Sequence, residues 1–180
     1  MTDILNIIEK YYDPATDLYK ILYNHSRSVA DKALEIAQTH PEMEMDLQFI
    51  EEASLLHDIG IYKTSAPKIG CNGFFDYICH GYLGCELLKK EGLEKHALVS
   101  ERHTGSGITK SSIISNNLPL PIRDMLPISM EEKLICLADK FYSKSKPDKV
   151  KSVDQIRKSL LKYGEDSVER LNELIKLFLG

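Results

Sequence analysis

Four histidines and two aspartates fall on the apolar faces, or at the ends, of segments with helical periodicity: His25, His57, Asp58, His80, His103 and Asp139. That placement constrains the fold more than any other feature of the chain. Aspartate is rarely buried unless it is paired or bound to a cation. One inward histidine would be an ordinary hydrogen-bonded core residue. Six such polar side chains need either a dense set of compensating hydrogen bonds or a metal.

The centre of the set is Ser54-Leu55-Leu56-His57-Asp58-Ile59-Gly60. Phe49, Ile50, Ala53, Leu56 and Ile59 recur at helical spacing, which predicts a helix over 46–60 with one buried face and a stop at Gly60. The adjacent His and Asp offer a nitrogen and two carboxylate oxygens within one turn. Together they can grip one divalent metal and leave an oxygen to bridge to another.

Read in order, the chain predicts a short amphipathic helix over 2–12, broken by Asp13-Pro14. Helices follow over 15–23 and 24–39, the latter stopping before Pro41. His25, Val29, Ala33 and Ile36 share one stripe of that helix, so His25 starts a buried face. Residues 61–76 have loop composition and can border a pocket. His80 opens a helix that runs from about 77 to Gly92, and residues 93–103 form a shorter one that delivers Arg102-His103. The stretch 104–128 is polar and broken. Ser129 reads as an N-cap with Glu132 as its capping-box partner, starting a helix that carries Asp139 on or beside the core. The tail, 152–179, reads as two amphipathic helices split at Gly164. No strand alternation of useful length is present, so the class is all-α. His40 and His96 lie in polar settings outside the set.

Composition narrows the function classes. The 180 residues are 43% apolar and 28% charged, which suits one domain with a sizeable core. A net charge of -4 argues against a nucleic acid duplex or an anionic membrane as partner. The start, Met1-Thr2-Asp3-Ile4, lacks the basic region of a signal peptide, and no apolar run reaches membrane-spanning length. Cys71, Cys79, Cys85 and Cys136 form no CxxC pair, so reduced thiols and a cytoplasmic location are expected.

The ordered set resembles the HD superfamily of metal-dependent phosphohydrolases, whose pattern reads H…HD…D. Here those positions are His25, His57, Asp58 and Asp139. The subset with two metals adds two histidines, matched by His80 and His103. The surroundings match as well, in His25-Ser26-Arg27-Ser28-Val29-Ala30, Leu55-Leu56-His57-Asp58-Ile59-Gly60 and Leu137-Ala138-Asp139-Lys140. Glu101-Arg102-His103-Thr104-Gly105 followed by Glu131-Glu132-Lys133-Leu134 looks like small HDIG-type proteins. The resemblance covers roughly residues 20–146 and implies a single-domain helical bundle of the HD-domain type across 1–180, with the helices of 152–179 packed on the motif core. Members related to cyclic-dinucleotide phosphodiesterases carry a lysine where this chain has Ile61, and a GYP signature that is absent here, so that substrate class is disfavoured.

The resemblance also implies a site. His25, His57, Asp58 and Asp139 would hold one divalent transition metal. Asp58 would bridge to a second ion held by His80 and His103, with Asp58 and His57 as the catalytic pair. Histidine nitrogen with carboxylate suits Fe, Mn, Ni, Co or Zn. Two such ions typically sit ~3.5–4 Å apart and activate a water as hydroxide for attack on phosphorus. The expected substrate is a small phosphate ester or anhydride, a nucleotide by preference, with Lys63, Arg102 and Lys140 as candidate phosphate contacts. Lys68 and Lys110 lie in the flanking loops as further candidates. Two other readings use the same ligands: a di-iron oxygenase on the same fold, and a low-turnover nucleotide-binding regulatory module.

Overall fold

A computed structural model describes residues 3–146 and 149–180. Nine α-helices and one two-stranded hairpin occur among them. The first helix, α1 (Ile4–Tyr11), is capped by the Asp3 carboxylate, which accepts from the Leu5 and Asn6 amides. Residue 2, where this helix was expected to begin, lies outside the described residues.

Two predicted helices are one. α2 runs unbroken over Asp17–Gln38, capped by Thr16. No Gly or Pro interrupts this span. The buried stripe of Leu22, His25, Ser26, Val29, Ala30 and Ala33 carries on straight through Asn24, so tertiary burial outweighs the modest propensity cost of that asparagine. α3 (Leu47–Leu56) ends earlier than expected, with His57 as its C-cap. His57 and Asp58 therefore sit in the turn that follows the helix.

The loop of 61–76 contains what the alternation did not reveal. β1 (Ser65–Ala66) pairs antiparallel with β2 (Cys71–Asn72). Two residues per strand are too few to leave a periodic signature. α4 (His80–Lys90) and α5 (Glu94–Arg102) follow and pack on each other, and α6 (Lys110–Ser115) is a single short helix in the broken stretch.

α7 (Met130–Lys140) is capped by Ser129, whose hydroxyl accepts from the Glu132 amide. Glu132 does not complete the expected box. Its carboxylate accepts instead from the Ile128 amide and from Arg102. The reciprocal capping box appears at Ser152 and Gln155, at the start of α8 (Val153–Leu160). α9 (Glu165–Leu179) closes the chain.

The main core gathers buried faces of α2, α3, α7, α8 and α9, including Val29, Ile50, Leu134, Ile156, Leu171 and Phe178. A second cluster joins α1 to the end of α3 and to α4 and α5. The His57–Asp58 turn lies between these two masses. Tyr12 secures it by donating its hydroxyl to the Ile59 carbonyl at 2.6 Å. Among the described residues no helix is long and apolar enough to cross a membrane.

Candidate metal centre

Helix ends deliver most of the site. His57 and Asp58 follow α3, His80 opens α4, His103 caps α5, Asp139 lies in the last turn of α7, and His25 comes from within α2. Three of the histidines share one local device. His57 Nδ1 donates to the Ser54 carbonyl at 2.6 Å, His80 Nδ1 to Tyr77 at 2.6 Å and His103 Nδ1 to Ser100 at 2.7 Å. Carbonyls in the last turn of a helix lack intrahelical partners, so His57 and His103 satisfy those of Ser54 in α3 and Ser100 in α5. The Tyr77 carbonyl, just before α4, accepts from both the amide and the ring of His80. A carbonyl only accepts, so the proton is on Nδ1 and each Nε2 is turned inward as a potential ligand.

The turn is held close to its neighbours. A Cβ on Gly60 would lie 2.2 Å from the His80 carbonyl oxygen and 2.5 Å from the Gly84 amide nitrogen. The Ser100 hydroxyl contacts the carbonyls of His57 at 2.7 Å and Gly81 at 3.2 Å. α4 and α5 are thereby tied to the turn that carries Asp58.

All six sequence-predicted residues converge. Asp58 Oδ2 stands 2.9 Å from His57 Nε2 and 3.2 Å from His25 Nε2. Asp139 Oδ1 stands 3.0 Å from His25 Nε2 and 3.6 Å from His57 Nε2. The other oxygen of Asp58, Oδ1, lies 3.5 Å from both His80 Nε2 and His103 Nε2. Two groups result, His25–His57–Asp58–Asp139 and Asp58–His80–His103, with the ligand atoms of each within 4.8 Å of one another. Asp58 belongs to both and offers one oxygen to each.

The chemistry of these atoms fits a divalent metal. His57 Nε2 and Asp58 Oδ1 are buried without a hydrogen-bond partner, an arrangement that proteins rarely leave uncompensated, and the Lys144 ammonium lies against Asp58 Oδ2. His80 Nε2 and His103 Nε2 face each other at 3.1 Å, although each ring already donates through Nδ1. Two lone pairs so placed repel unless a cation lies near both. Burial holds the His80 pKa down to about 3, with partial opposition from Asp58, and burial lowers that of His103 too. Both rings are therefore neutral, the form that binds metal. Burial also opposes the charged form of His57, but Asp58 and Asp139 outweigh it and push its pKa up to about 9. Burial works against ionised Asp58 and Asp139 as well. His57 and Lys144 beside Asp58, and Lys140 and His25 beside Asp139, nevertheless hold both well below the usual carboxylate range.

His25, His80, His103 and Asp139 line a cavity of about 730 Å³. Lys68, Lys140, Lys144, Lys151 and Lys162 line it too. Lys140 pairs with Asp139, and Lys144 reaches Asp58 and lies over the Tyr77 ring. Of the predicted phosphate contacts, Lys140 and Lys68 line this cavity, and Lys110 does not. Arg102 is committed to Glu132 at 2.9 Å, and the Lys63 ammonium lies over the Tyr62 ring. Neither lines the cavity.

Lys144, Lys151 and Lys162 went unnoticed in the sequence. The only signal for Lys144 is its position four residues past Lys140, and charged residues at that spacing usually mark a solvated face. His40 and His96 stay outside the cluster. They are half-buried rather than exposed, bonded to the Phe178 carbonyl and to Glu52.

Comparison with known proteins agrees with this geometry. Residues 22–143 match the HD domain family. An uncharacterized protein of Methanocaldococcus jannaschii is 36% identical over 152 residues, covering 82% of this chain and 81% of that protein. A tRNA (cytidine(56)-2'-O)-methyltransferase of Thermoplasma volcanium is 27% identical over 88% of this chain, and that of Picrophilus torridus 28% over 89%. The chain spans only 43% of the length of each methyltransferase. No solved structure matches.

Proposed function

The chain belongs to the HD domain family, and on that premise we propose that it is a metal-dependent phosphohydrolase acting on a small phosphate ester or anhydride, a nucleotide by preference. The observation that carries this reading is a carboxylate-bridged ligand set opening into a cavity lined by five lysines. A phosphoryl group carries the charge those lysines match. A neutral organic substrate would gain nothing from them, which disfavours an oxygenase acting on one.

His25, His57, Asp58 and Asp139 would hold one ion, and Asp58, His80 and His103 a second. Nitrogen and carboxylate donors suit Fe, Mn, Co, Ni or Zn. Bound there, the ions would supply a water of lowered pKa and neutralise phosphoryl oxygens. The chain does the rest. The Nδ1–carbonyl bonds keep three imidazoles oriented, which preserves ligand geometry without reorganisation. Lys140 and Lys144 pair with Asp139 and Asp58. With those carboxylates taken up by metal, both ammonium groups would be free to neutralise and orient the phosphoryl group, with Lys68, Lys151 and Lys162 further around the cavity. In the hydrolysis, the oxygen of water bonds to phosphorus, the bond from phosphorus to the leaving oxygen breaks, and that oxygen takes a proton. Two relatives are named as enzymes acting on tRNA, which supports a nucleotide over other phosphoesters.

The test is phosphate release by Mn-loaded protein, without O₂, across a panel of nucleotides and small phosphoesters. Release is expected. Asp58→Ala should abolish it and lower the content of both metals, whereas His103→Ala should spare one ion and weaken the other. If no phosphoester is cleaved, and iron-loaded protein gives a mixed-valence signal with O₂ consumption, the oxygenase reading replaces this one.

A further inference from the structure

A second chamber, of about 700 Å³, adjoins the lysine-lined cavity. The two share Ile78, Thr104, Gly105, Leu118, Lys162 and Tyr163. Thr104 and Gly105 directly follow His103, so the wall common to the two chambers lies beside one of the histidines of the ligand set.

The two spaces differ in charge. The metal-side cavity carries five lysines. Beyond the shared Lys162, the second chamber has one cation, Arg170, and it is already committed. Its Nη1 pairs with Asp166 at 2.9 Å, and its other nitrogens donate to the Ser106 and Gly107 carbonyls at 3.4 Å. The remaining lining is neutral. Ser112, Ser115 and Asn116 offer hydroxyl and amide groups, and Ile108 adds an aliphatic wall beside the shared Ile78 and Leu118. Tyr163, 45% exposed, presents an aromatic ring at the boundary.

We infer that the second chamber binds the leaving group of the substrate, and that this group is a nucleoside. The inference rests on the phosphohydrolase reading for the position of the phosphate, and on the chamber's own chemistry for the rest. A ligand lying across both spaces must be anionic at one end and neutral, hydrogen-bonding and partly apolar at the other. A nucleoside monophosphate has that distribution. The free end of an extended polyphosphate would meet no uncommitted cation beyond Lys162 at the boundary, so most of its desolvation would go uncompensated. The volume falls within the ~300–1,000 Å³ common for small-molecule sites, and a base has a face to stack on Tyr163.

Two measurements test this. The four common ribonucleosides are titrated calorimetrically into Mn-loaded protein, and kcat/KM for their 5′-monophosphates is compared with that for glycerol phosphate. At least one nucleoside should bind and compete with its own monophosphate. Ser115→Trp, which fills the chamber, should weaken that binding and reduce the nucleotide-to-glycerol-phosphate ratio by about tenfold or more. Tyr163→Ala should act in the same direction, and it decides the matter alone if the tryptophan variant does not fold. The inference is overturned if none of the four nucleosides binds, or if Tyr163→Ala changes neither affinity nor ratio. Nucleoside binding that the variants abolish, in a protein that cleaves no phosphoester, would sink the hydrolase reading and keep the chamber.

Discussion

His57 shows how strongly one side chain's charge depends on its neighbours. Its pKa is pushed up to about 9 from an unfolded value near 6.5. A raised folded pKa contributes stability that is fully present below pH 6.5 and is lost as pH climbs through about 9. His80, lowered to about 3, and His103, also lowered, have the opposite sign, and they remove stability as pH falls below 6.5. Metal-free protein is therefore expected to be most stable near pH 6.5. The alkaline loss should approach about 3 kcal/mol for full deprotonation of a group shifted this far. A metal needs neutral His57, so Mn should flatten the alkaline limb. Urea midpoints across this pH range, with chelator and with Mn, check both statements; an apo protein no less stable at pH 9 would contradict the first. The lysines supply a second residue-scale contrast. Lys144 lines the cavity and Lys63 does not. Under the proposed function, Lys144→Ala should raise KM for a phosphoester by about tenfold or more, the loss of one charge-assisted contact. Lys63→Ala should leave KM within about twofold.

At the scale of elements, the junctions between helices matter more than their interiors. The His57–Asp58 turn packs against the backbone of α4 with no space for a methyl group at Gly60. The obstructing atoms are backbone and cannot swing aside. Gly60→Ala is expected to cost about 3 kcal/mol or more, at or beyond the upper end of ordinary overpacking. The turn would have to lift from α4, so metal occupancy should fall with stability. Denaturant midpoint and metal content measured on the same variant check this, and a stable variant with full occupancy would refute the close approach.

For the whole molecule, the question is how far the C-terminal helices belong to the fold. Ile156, Leu160, Leu171, Leu174 and Phe178 are all buried in the main core. At ~1.5–3 kcal/mol for each fully buried side chain, their loss would amount to about 10 kcal/mol, comparable to the whole stability of a domain. A chain ending at residue 146 is thus expected to lack a cooperative unfolding transition by circular dichroism, although it retains all six metal-site residues. A cooperative melt near that of the full chain would show that α8 and α9 are dispensable. The turn that joins the two helices supplies Lys162 and Tyr163 to the chambers, so stability and specificity share this part of the chain.

The sequence by itself determined the helical class and the six residues that meet at the site. Both follow from local rules: apolar residues at helical spacing mark the inward faces, and polar residues found there need a shared partner. It did not determine that residues 17–38 form one helix, because a weak helix former such as Asn24 is overruled only by burial contributed from elsewhere in the chain. Nor did it separate Lys144, Lys151 and Lys162 from ordinary surface lysines, or reveal that Arg102 is committed to Glu132. Charge carries no periodic signature of where a side chain will point. Only when α7, α8 and α9 are packed does a set of lysines scattered over 95 positions, from Lys68 to Lys162, come to surround one cavity.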